Sequence, residues 1–266
     1  MTNAWMAEAD GPGPTVETKL ARKSNLDQWI CWWSIPIFYN MFGLIFFYLA
    51  KLMPPPSPGL TQDGIITFIQ SNHRNLQIAV VLLALTLGLS ALSFGPIVVQ
   101  MKRMRGVSPV LAYAYLAVLS VAALPGCLFC GLMFALAAFR PDRDPQIVAL
   151  LYDMGLLSFV GSLGCFCTQY LVFAVAIFLD KRGIFPKWLG YMSIWGFVTE
   201  LVAAPIWIFR SGPYAWDGLI SFYLGTVIFV VWEICLVVCL FKAIKRQSLE
   251  EVGPASMGLR AATVNG

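Results

Sequence analysis

Six apolar stretches, each long enough to cross a bilayer as a helix, constrain this chain more than any other feature. They lie at 29–50, 76–99, 109–139, 155–179, 188–209 and 215–241. A span needs about 20 predominantly apolar residues, because a helix rises about 1.5 Å per residue across about 30 Å of hydrocarbon. No segment alternates polar and apolar residues as barrel strands do. The sequence therefore predicts an all-α, polytopic transmembrane bundle of six helices.

The composition agrees with a lipid-facing surface. Apolar residues make up 59% of the chain and charged residues only 12%, whereas soluble domains carry about 25% charged residues. The net charge of +4 does not indicate nucleic-acid binding, because the basic residues lie in short loops and tails. The lipid bilayer is thus the expected partner, and no nucleic-acid partner is expected.

The distribution of Lys and Arg predicts the orientation. The segments before the first span and after the second, fourth and sixth hold 13 of the 18 basic residues. Because positive charge is retained in the cytoplasm, both termini are expected there. The predicted organisation is a disordered cytoplasmic tail at 1–28, a transmembrane domain at 29–246 and a second disordered tail at 247–266.

Two basic loops resemble each other. RGVSP at 105–109 and RGIFP at 182–186 each precede a span, and each of those spans ends in a Phe-Arg pair, at 139–140 and 209–210. This pattern predicts a parallel two-helix repeat of the kind found in some transporters. The alternative is that Gly and Pro punctuate two tight loops independently.

Three motifs carry a family resemblance. AAFRPDRDP at 137–145, FPKWLGY at 185–191 and GPYAWDG at 212–218 resemble a family of uncharacterised bacterial multi-pass membrane proteins. The resemblance extends from the second span onward. It implies the six-helix plan and the bacterial inner membrane, and it brings no activity.

The densest polar feature follows the third span. Arg140, Asp142, Arg143 and Asp144 lie within five positions, so opposite charges are expected to pair. Pro145 suits the first turn of a helix, with Asp144 as its N-cap. On the same side of the membrane, the segment 61–72 has its apolar residues on one face and is expected to lie flat on the bilayer.

We expect a polar cup on this outer face. Besides the four residues of the 140–144 loop, its predicted members are Asp153, Arg210, Trp216 and Asp217. Because the Arg guanidinium presents a rigid fork to carboxylate or phosphate, such a cup suits a small anionic or amphipathic molecule. The alternative is that ion pairs only tie the loops together.

Two carboxylates lie deep in apolar sequence: Glu200 in the fifth span and Glu233 in the sixth. A charge at mid-membrane is costly, so each is expected to face the bundle interior, either protonated or beside a cation or water. The functional interpretation is a proton- or cation-handling site between these helices. The structural interpretation is that protonated Glu side chains join helices by hydrogen bonds. The expected polar neighbours are Asn40, Thr168, Gln169, Tyr170 and Thr226.

The sequence predicts no metal, no cofactor and no catalytic residue. Cys127 with Cys130, and Cys235 with Cys239, have helical spacing that suits a soft metal, yet free Cys is commonly a small buried apolar residue. The single histidine, His73, excludes centres that need several histidines. The chain has no Walker A motif and no Gly-x-Ser-x-Gly motif. These absences count against enzymatic activity and do not exclude it.

Three functional hypotheses follow. The first is a transporter or binding protein for a small hydrophobic or amphipathic molecule. It predicts a cavity between the fourth span and the last two, open toward the cup. The second is a non-catalytic accessory or structural subunit of a membrane complex, which predicts a closed bundle beside partner subunits. The third, an intramembrane enzyme that uses the two acids and Asp153, has the least support.

Overall fold

The computed structural model describes residues 25–123, 128–140 and 142–264, with side chains except those of 123 and 251–264. This part of the chain is helical. Its α-helices are α1 (Leu26–Leu44), α2 (Gln62–Lys102), α3 (Pro109–Ala123), α4 (Cys130–Phe139), α5 (Pro145–Val160), α6 (Leu163–Leu179), α7 (Lys187–Ala203) and α8 (Gly225–Val264). Ile45–Leu49 extends α1 as a π-helix, Ala204–Trp207 extends α7 as a 3-10 helix, and a π-helical segment, Leu219–Leu224, leads into α8.

Five helical segments of the described chain are long and apolar enough to cross a membrane. They are Leu26–Leu49, Gln62–Lys102, Pro145–Leu179, Lys187–Trp207 and Leu219–Glu250. The third predicted span, 109–139, instead holds the two shorter helices α3 and α4, on either side of residues outside the described part. The molecule is therefore an all-α protein with the helices of a membrane protein.

Helix α2 extends well beyond the span predicted at 76–99. It begins at Gln62, where the Thr61 hydroxyl accepts the Gly64 N–H at 3.2 Å, and continues unbroken for 41 residues. The expectation that 61–72 lies flat as a separate segment is therefore wrong. No Gly or Pro occurs between Ile65 and Leu87, so nothing in the sequence stops the helix where the apolar stretch begins.

The fourth predicted span bends where α5 meets α6. A Cβ at Gly161 would lie 2.9 Å from the Trp207 indole, and that indole donates its N–H to the Gly161 carbonyl at 3.2 Å. Trp207, at the end of the 3-10 segment that extends α7, thus packs directly against the bend. Residues 145–154, which precede the span predicted at 155–179, form the first turns of α5, and the helix begins at Pro145 as predicted.

The bundle has two chemically distinct ends. The basic end carries the positive residues of two loops and of α8, namely Lys102, Arg103, Arg105, Lys181, Arg182, Lys187, Lys242, Lys245 and Arg246. The opposite end carries the loops at 50–61, 140–144 and 208–218. One hydrophobic cluster, which includes Tyr115, Phe173 and Trp232, lies toward the basic end. The other, which includes Phe134 and Tyr152, lies toward the opposite end.

Buried amides join three helices at the basic end. Gln100 of α2 donates its side-chain N–H groups to Gln28 of α1 at 2.9 Å and to Gln247 of α8 at 2.7 Å. All three side chains are buried. Helix α8 continues from Gln247 to Val264, through the region for which the sequence predicts a disordered tail. The first 24 residues of the predicted N-terminal tail lie outside the described part.

One carboxylate organises the two basic loops. Asp180, buried at the end of α6, accepts the backbone N–H groups of Arg105, Arg182 and Ile184 at 3.0, 2.8 and 2.7 Å. The Lys181 N–H donates to the Arg105 carbonyl at 2.9 Å. The loop after α2 and the loop after α6 are therefore held together by backbone hydrogen bonds.

Candidate intramembrane acidic site

The two predicted acids lie on adjacent helices, each within a segment that is long and apolar enough to cross a membrane. Glu200 is thirteen residues along α7 from Lys187, and Glu233 is nine residues before Lys242 on α8. At a helical rise of 1.5 Å per residue, these positions are about 20 Å and about 14 Å from the basic end. Both side chains are half-buried.

A tyrosine of a third helix interacts electrostatically with both acids. Tyr170 of α6 is within electrostatic range of both Glu200 and Glu233. In the described part of the chain, no hydrogen bond or ion pair joins either carboxylate to another side chain. Tyr170 of α6 is thus coupled to one acid on α7 and to one acid on α8, and the two acids form no hydrogen bond with each other.

Two neighbouring polar side chains of α6, Gln169 and Tyr170, are incompletely satisfied. Tyr170 is 1% exposed and Gln169 is 4% exposed, yet the Tyr170 hydroxyl and the Gln169 Oε1 atom have no hydrogen-bond partner. Gln169 donates weakly, at 3.5 Å, to the hydroxyl of Tyr115, which lies within range of Glu233. An unsatisfied buried polar group costs about 1–3 kcal/mol. A water molecule or a cation placed here would supply the missing partner.

Close packing fixes the position of Tyr170. A Cβ at Gly196 of α7 would lie 2.8 Å from the tyrosine ring, so glycine permits the close approach of α6 and α7. The Trp232 ring of α8 meets the same tyrosine edge-to-face, with centroids 4.9 Å apart. The unpaired hydroxyl is thus held by the packing of three helices.

The other residues predicted to lie near the acids are not in the protein interior. Thr168 and Asn40 are exposed, and they donate to carbonyls of their own helices, Gly164 at 2.9 Å and Pro36 at 2.7 Å. Thr226 is half-buried near the start of α8. Gln169 and Tyr170 alone among the five lie in the interior beside the acids.

Sequence reasoning did not identify two residues of the site. Tyr115 of α3 is fully buried, whereas Tyr113, two positions away in the same apolar sequence, is 54% exposed. Cys167 of α6 lies within electrostatic range of Glu200. No composition or spacing signal separates Tyr115 from Tyr113, so only the helix packing reveals its role.

The predicted cup residues lie at the opposite end. Asp144 is the N-cap of α5, as predicted: its carboxylate accepts the Gln146 N–H at 2.7 Å. Arg140 and Asp142 are exposed, and Arg143 is half-buried with an Nε atom that has no partner. The described residues of this loop form no ion pair with one another. Farther along the chain, Asp153 lies within electrostatic range of the exposed Arg210.

A proline-rich loop packs where the cup was expected. The Trp216 indole donates to the Pro56 carbonyl and the Tyr152 hydroxyl to the Ser57 carbonyl, both at 2.8 Å. Trp216 is 5% exposed, so its ring is a packing element. Asp217 is half-buried, within electrostatic range of Tyr152. Together these contacts hold the 54–58 loop against α5 and the 212–218 loop.

Two open, shallow concavities lie at the basic end. One, of about 340 Å³, is lined by Lys242, Lys245, Arg246 and Leu249. The other, of about 300 Å³, is lined by Gly183, Pro186, Trp188, Cys239, Lys242 and Arg246. Neither groove contains an acid of the intramembrane site or a cup residue.

The cysteines give no metal-binding geometry in the described part of the chain. No group of three His, Cys, Asp or Glu side chains is placed there to hold an ion. Cys235 is half-buried and Cys239 buried on α8, and Cys127 lies outside the described residues. Comparison of the chain with protein-family models, with curated proteins and with solved structures gave no match.

Proposed function

We propose that this protein is a proton- or cation-responsive membrane transporter or binding protein for a small hydrophobic or amphipathic molecule. The proposal rests on two neighbouring buried atoms that have no hydrogen-bond partner, the Tyr170 hydroxyl and the Gln169 carbonyl oxygen. Tyr170 is within electrostatic range of both Glu200 and Glu233. Intramembrane carboxylates that face a bundle interior commonly belong to proton relays and ion pathways. A structural hydrogen-bonded acid would leave fewer buried polar atoms without partners.

The topology is part of the proposal. We assign six spans, with α3 and α4 together forming the third, and place both termini in the cytoplasm of a bacterial inner membrane. The concentration of Lys and Arg at one end supports this orientation. Gly106 and Gly183, at matching positions of the two RG motifs, have φ values of 80° and 70°. This shared left-handed turn supports a parallel repeat of two helical hairpins.

The site responds to charge through helix packing. An ionised carboxylate at this depth attracts a proton or a cation, and neutralising it removes the cost of a buried charge. Glu200 lies near the end of α7, which leads through Ala204–Trp207 to the Trp207–Gly161 contact at the α5–α6 bend. Movement of α7 against α8 therefore changes the packing at the opposite end. This linkage joins the acids to the side where the amphipathic molecule would bind.

The test is the thermal stability of purified protein in detergent from acidic to mildly alkaline pH. The Glu200→Gln/Glu233→Gln variant keeps the side-chain shape and cannot ionise. We expect equal melting temperatures at low pH, where wild-type acids are neutral. As pH rises, we expect wild type to lose stability because ionisation charges a buried group, while the variant does not. Asp63→Asn, on the exposed first turn of α2, is the matched control and should follow wild type.

A second measurement separates a proton site from a cation site. A hydrophobic carbodiimide modifies protonated carboxyl groups in membranes, and peptide mass spectrometry reports the modified position. Labelling of Glu200 or Glu233 that falls with rising pH supports a proton site, and protection by Na⁺ at fixed pH supports a cation site. Identical melting curves for wild type and the double variant at every pH, with pH-independent labelling, would remove the basis of the proposal.

One observation favours the second candidate, a non-catalytic accessory subunit. The two grooves at the basic end lie away from the acids, and the opposite end is packed by the 54–58 loop. A closed bundle is what that hypothesis predicts. It gains support if the acids do not titrate and if the protein copurifies with a defined membrane partner through its exposed apolar faces.

A further inference from the structure

The two grooves at the basic end share the same basic residues. Lys242 and Arg246, one helical turn apart on α8, line both concavities, and Lys245 lines one of them. All three side chains are exposed. Within the described chain, Lys242 and Lys245 form no ion pair, so their charges are left uncompensated.

None of the acids described near this end lines a groove. Glu250 pairs with Arg103 at 2.8 Å and also with Arg182. Asp180 accepts three backbone N–H groups. Asp27 is exposed on α1 and lines neither groove. No carboxylate among the described side chains lines either groove, so the described lining of both carries net positive charge.

Arg246 is fixed in place by the loop between α6 and α7. Its guanidinium donates to the Ile184 carbonyl at 2.6 Å and to the Gly183 carbonyl at 3.4 Å. This anchoring lowers the conformational entropy lost when an anion binds, because the long side chain is already ordered. The Arg246 guanidinium, which lines both grooves, is therefore held in place before an anion binds.

The remaining groove wall is apolar and lies at the membrane boundary. Trp188 is 47% exposed and Leu249 is 56% exposed, and Pro186 and Cys239 complete the lining. The apolar stretch of α8 ends at Phe241, immediately before Lys242. Tryptophan is enriched at this depth because its amphipathic ring suits the headgroup region.

An exposed apolar stripe leads from the grooves toward the membrane centre. Val238, Ile234 and Val231 lie three or four residues apart along α8, so they share a face with Lys242. All three are exposed. A molecule with an anionic head and an aliphatic chain matches this order of basic residues, tryptophan and apolar stripe.

We propose that Lys242, Lys245 and Arg246 bind the phosphate of an anionic phospholipid, of the phosphatidylglycerol class, whose acyl chain lies along the Val231–Ile234–Val238 stripe. Basic pockets between transmembrane helices on the positive side recognise such headgroups. The groove volumes of about 340 and 300 Å³ are at the lower end of the range for small-molecule sites. The proposal does not depend on the intramembrane acids or on the proposed transport function.

The test is native mass spectrometry of delipidated full-length protein titrated with phosphatidylglycerol or with phosphatidylcholine. The groove variant is Lys242→Gln/Lys245→Gln. The matched control, Arg105→Gln/Lys181→Gln, removes two exposed charges from the same end without touching either groove. We expect wild type and the control to prefer phosphatidylglycerol. The groove variant should bind it about 30-fold more weakly, because each juxtamembrane lysine contributes about a fivefold factor.

Two results would overturn the proposal. Equal losses in the groove variant and the control would mean that the attraction comes from the overall positive charge. Displacement of the lipid by inorganic phosphate at similar concentration would mean that the site recognises the anion without the chain. If the Gln variant fails to fold, Lys242→Arg/Lys245→Arg replaces it. That variant keeps the charge and should retain phosphatidylglycerol binding, and its loss would also contradict the proposal.

Discussion

The indole N–H of Trp232 on α8 donates to the hydroxyl of Ser193 on α7 at 2.8 Å, and both side chains are fully buried. This is a hydrogen bond between the two helices that carry the intramembrane acids. Glu233 is the next residue after Trp232, and Glu200 lies two turns beyond Ser193. The spacing of the two acids is therefore set by a bond between neutral side chains.

Replacing Ser193 with Ala should destabilise the protein by about 1–3 kcal/mol, because the Trp232 indole N–H is then buried without an acceptor. The melting temperature in detergent measures the effect. Ser120→Ala is the control: its hydroxyl donates to the Leu116 carbonyl of its own helix, as the Ser193 hydroxyl donates to the Leu189 carbonyl, but at an exposed position. The control should stay within about 0.5 kcal/mol of wild type, and an equal loss in both variants would contradict the role assigned to the interhelical bond.

Tyr170→Phe should leave stability unchanged or raise it. The substitution removes a buried hydroxyl that has no hydrogen-bond partner, and phenylalanine retains the ring packed against Gly196 and Trp232. Tyr152→Phe provides the contrast, since its hydroxyl donates to the Ser57 carbonyl and its loss should cost about 1 kcal/mol. Thermal melting of both variants tests the difference. A large loss in Tyr170→Phe would mean that its hydroxyl holds a partner, such as water, in the folded protein.

Gly196→Ala should be among the most damaging conservative changes. The new methyl group would lie 2.8 Å from the Tyr170 ring, and overpacking in a dense interior typically costs about 1–3 kcal/mol. Gly225→Ala, at the start of α8, adds the same atom where nothing lies within 4 Å, and it should be neutral or stabilising. Comparing the two melting temperatures separates the effect of the close helix contact from the general effect of replacing glycine. A tolerated Gly196→Ala would contradict the contact.

Asp180→Ala should destabilise the basic end by about 3 kcal/mol or more. Three backbone N–H groups lose a charged acceptor, and hydrogen bonds to charged groups contribute about 1.5–3 kcal/mol each. Asp180→Asn keeps one acceptor oxygen and should fall between Ala and wild type. Asp63→Ala is the control, because its loss affects only the helix dipole of α2, by about 0.3–1 kcal/mol. Equal melting temperatures for Asp180→Ala and Asp180→Asn would contradict the role of Asp180 as a hydrogen-bond acceptor.

The sequence predicted the helical membrane architecture because long apolar stretches have few alternatives in lipid. It failed at boundaries where hydropathy and helix propensity differ. The polar turns of α2 before Leu76 continue the helix because no Gly or Pro interrupts them. The bend at Gly161 depends on Trp207, about 45 residues later in the chain, and local pattern alone does not indicate such a contact.

The candidate site was predictable in part. Glu200 and Glu233 stand out because charge in apolar sequence is costly, and the Asp144 cap follows from its position before Pro145. The arrangement around the acids depends on which face each helix presents to its neighbours. The same limitation applies to Asp180 and Gln100, because their hydrogen-bond partners lie in other loops and helices that are distant in the sequence.

The length of α2 determines whether one of its ends is accessible to reagents in water. Its 41 residues measure about 60 Å, whereas a bilayer with its headgroups is about 40–45 Å thick and helix tilt stays within about 40°. Even at the largest tilt, α2 is longer than the bilayer is thick. One extremity must stand in water, and the proposed orientation makes it the turn around Asp63. A cysteine placed there should react with a membrane-impermeant maleimide on intact cells, which would read out the orientation without purification.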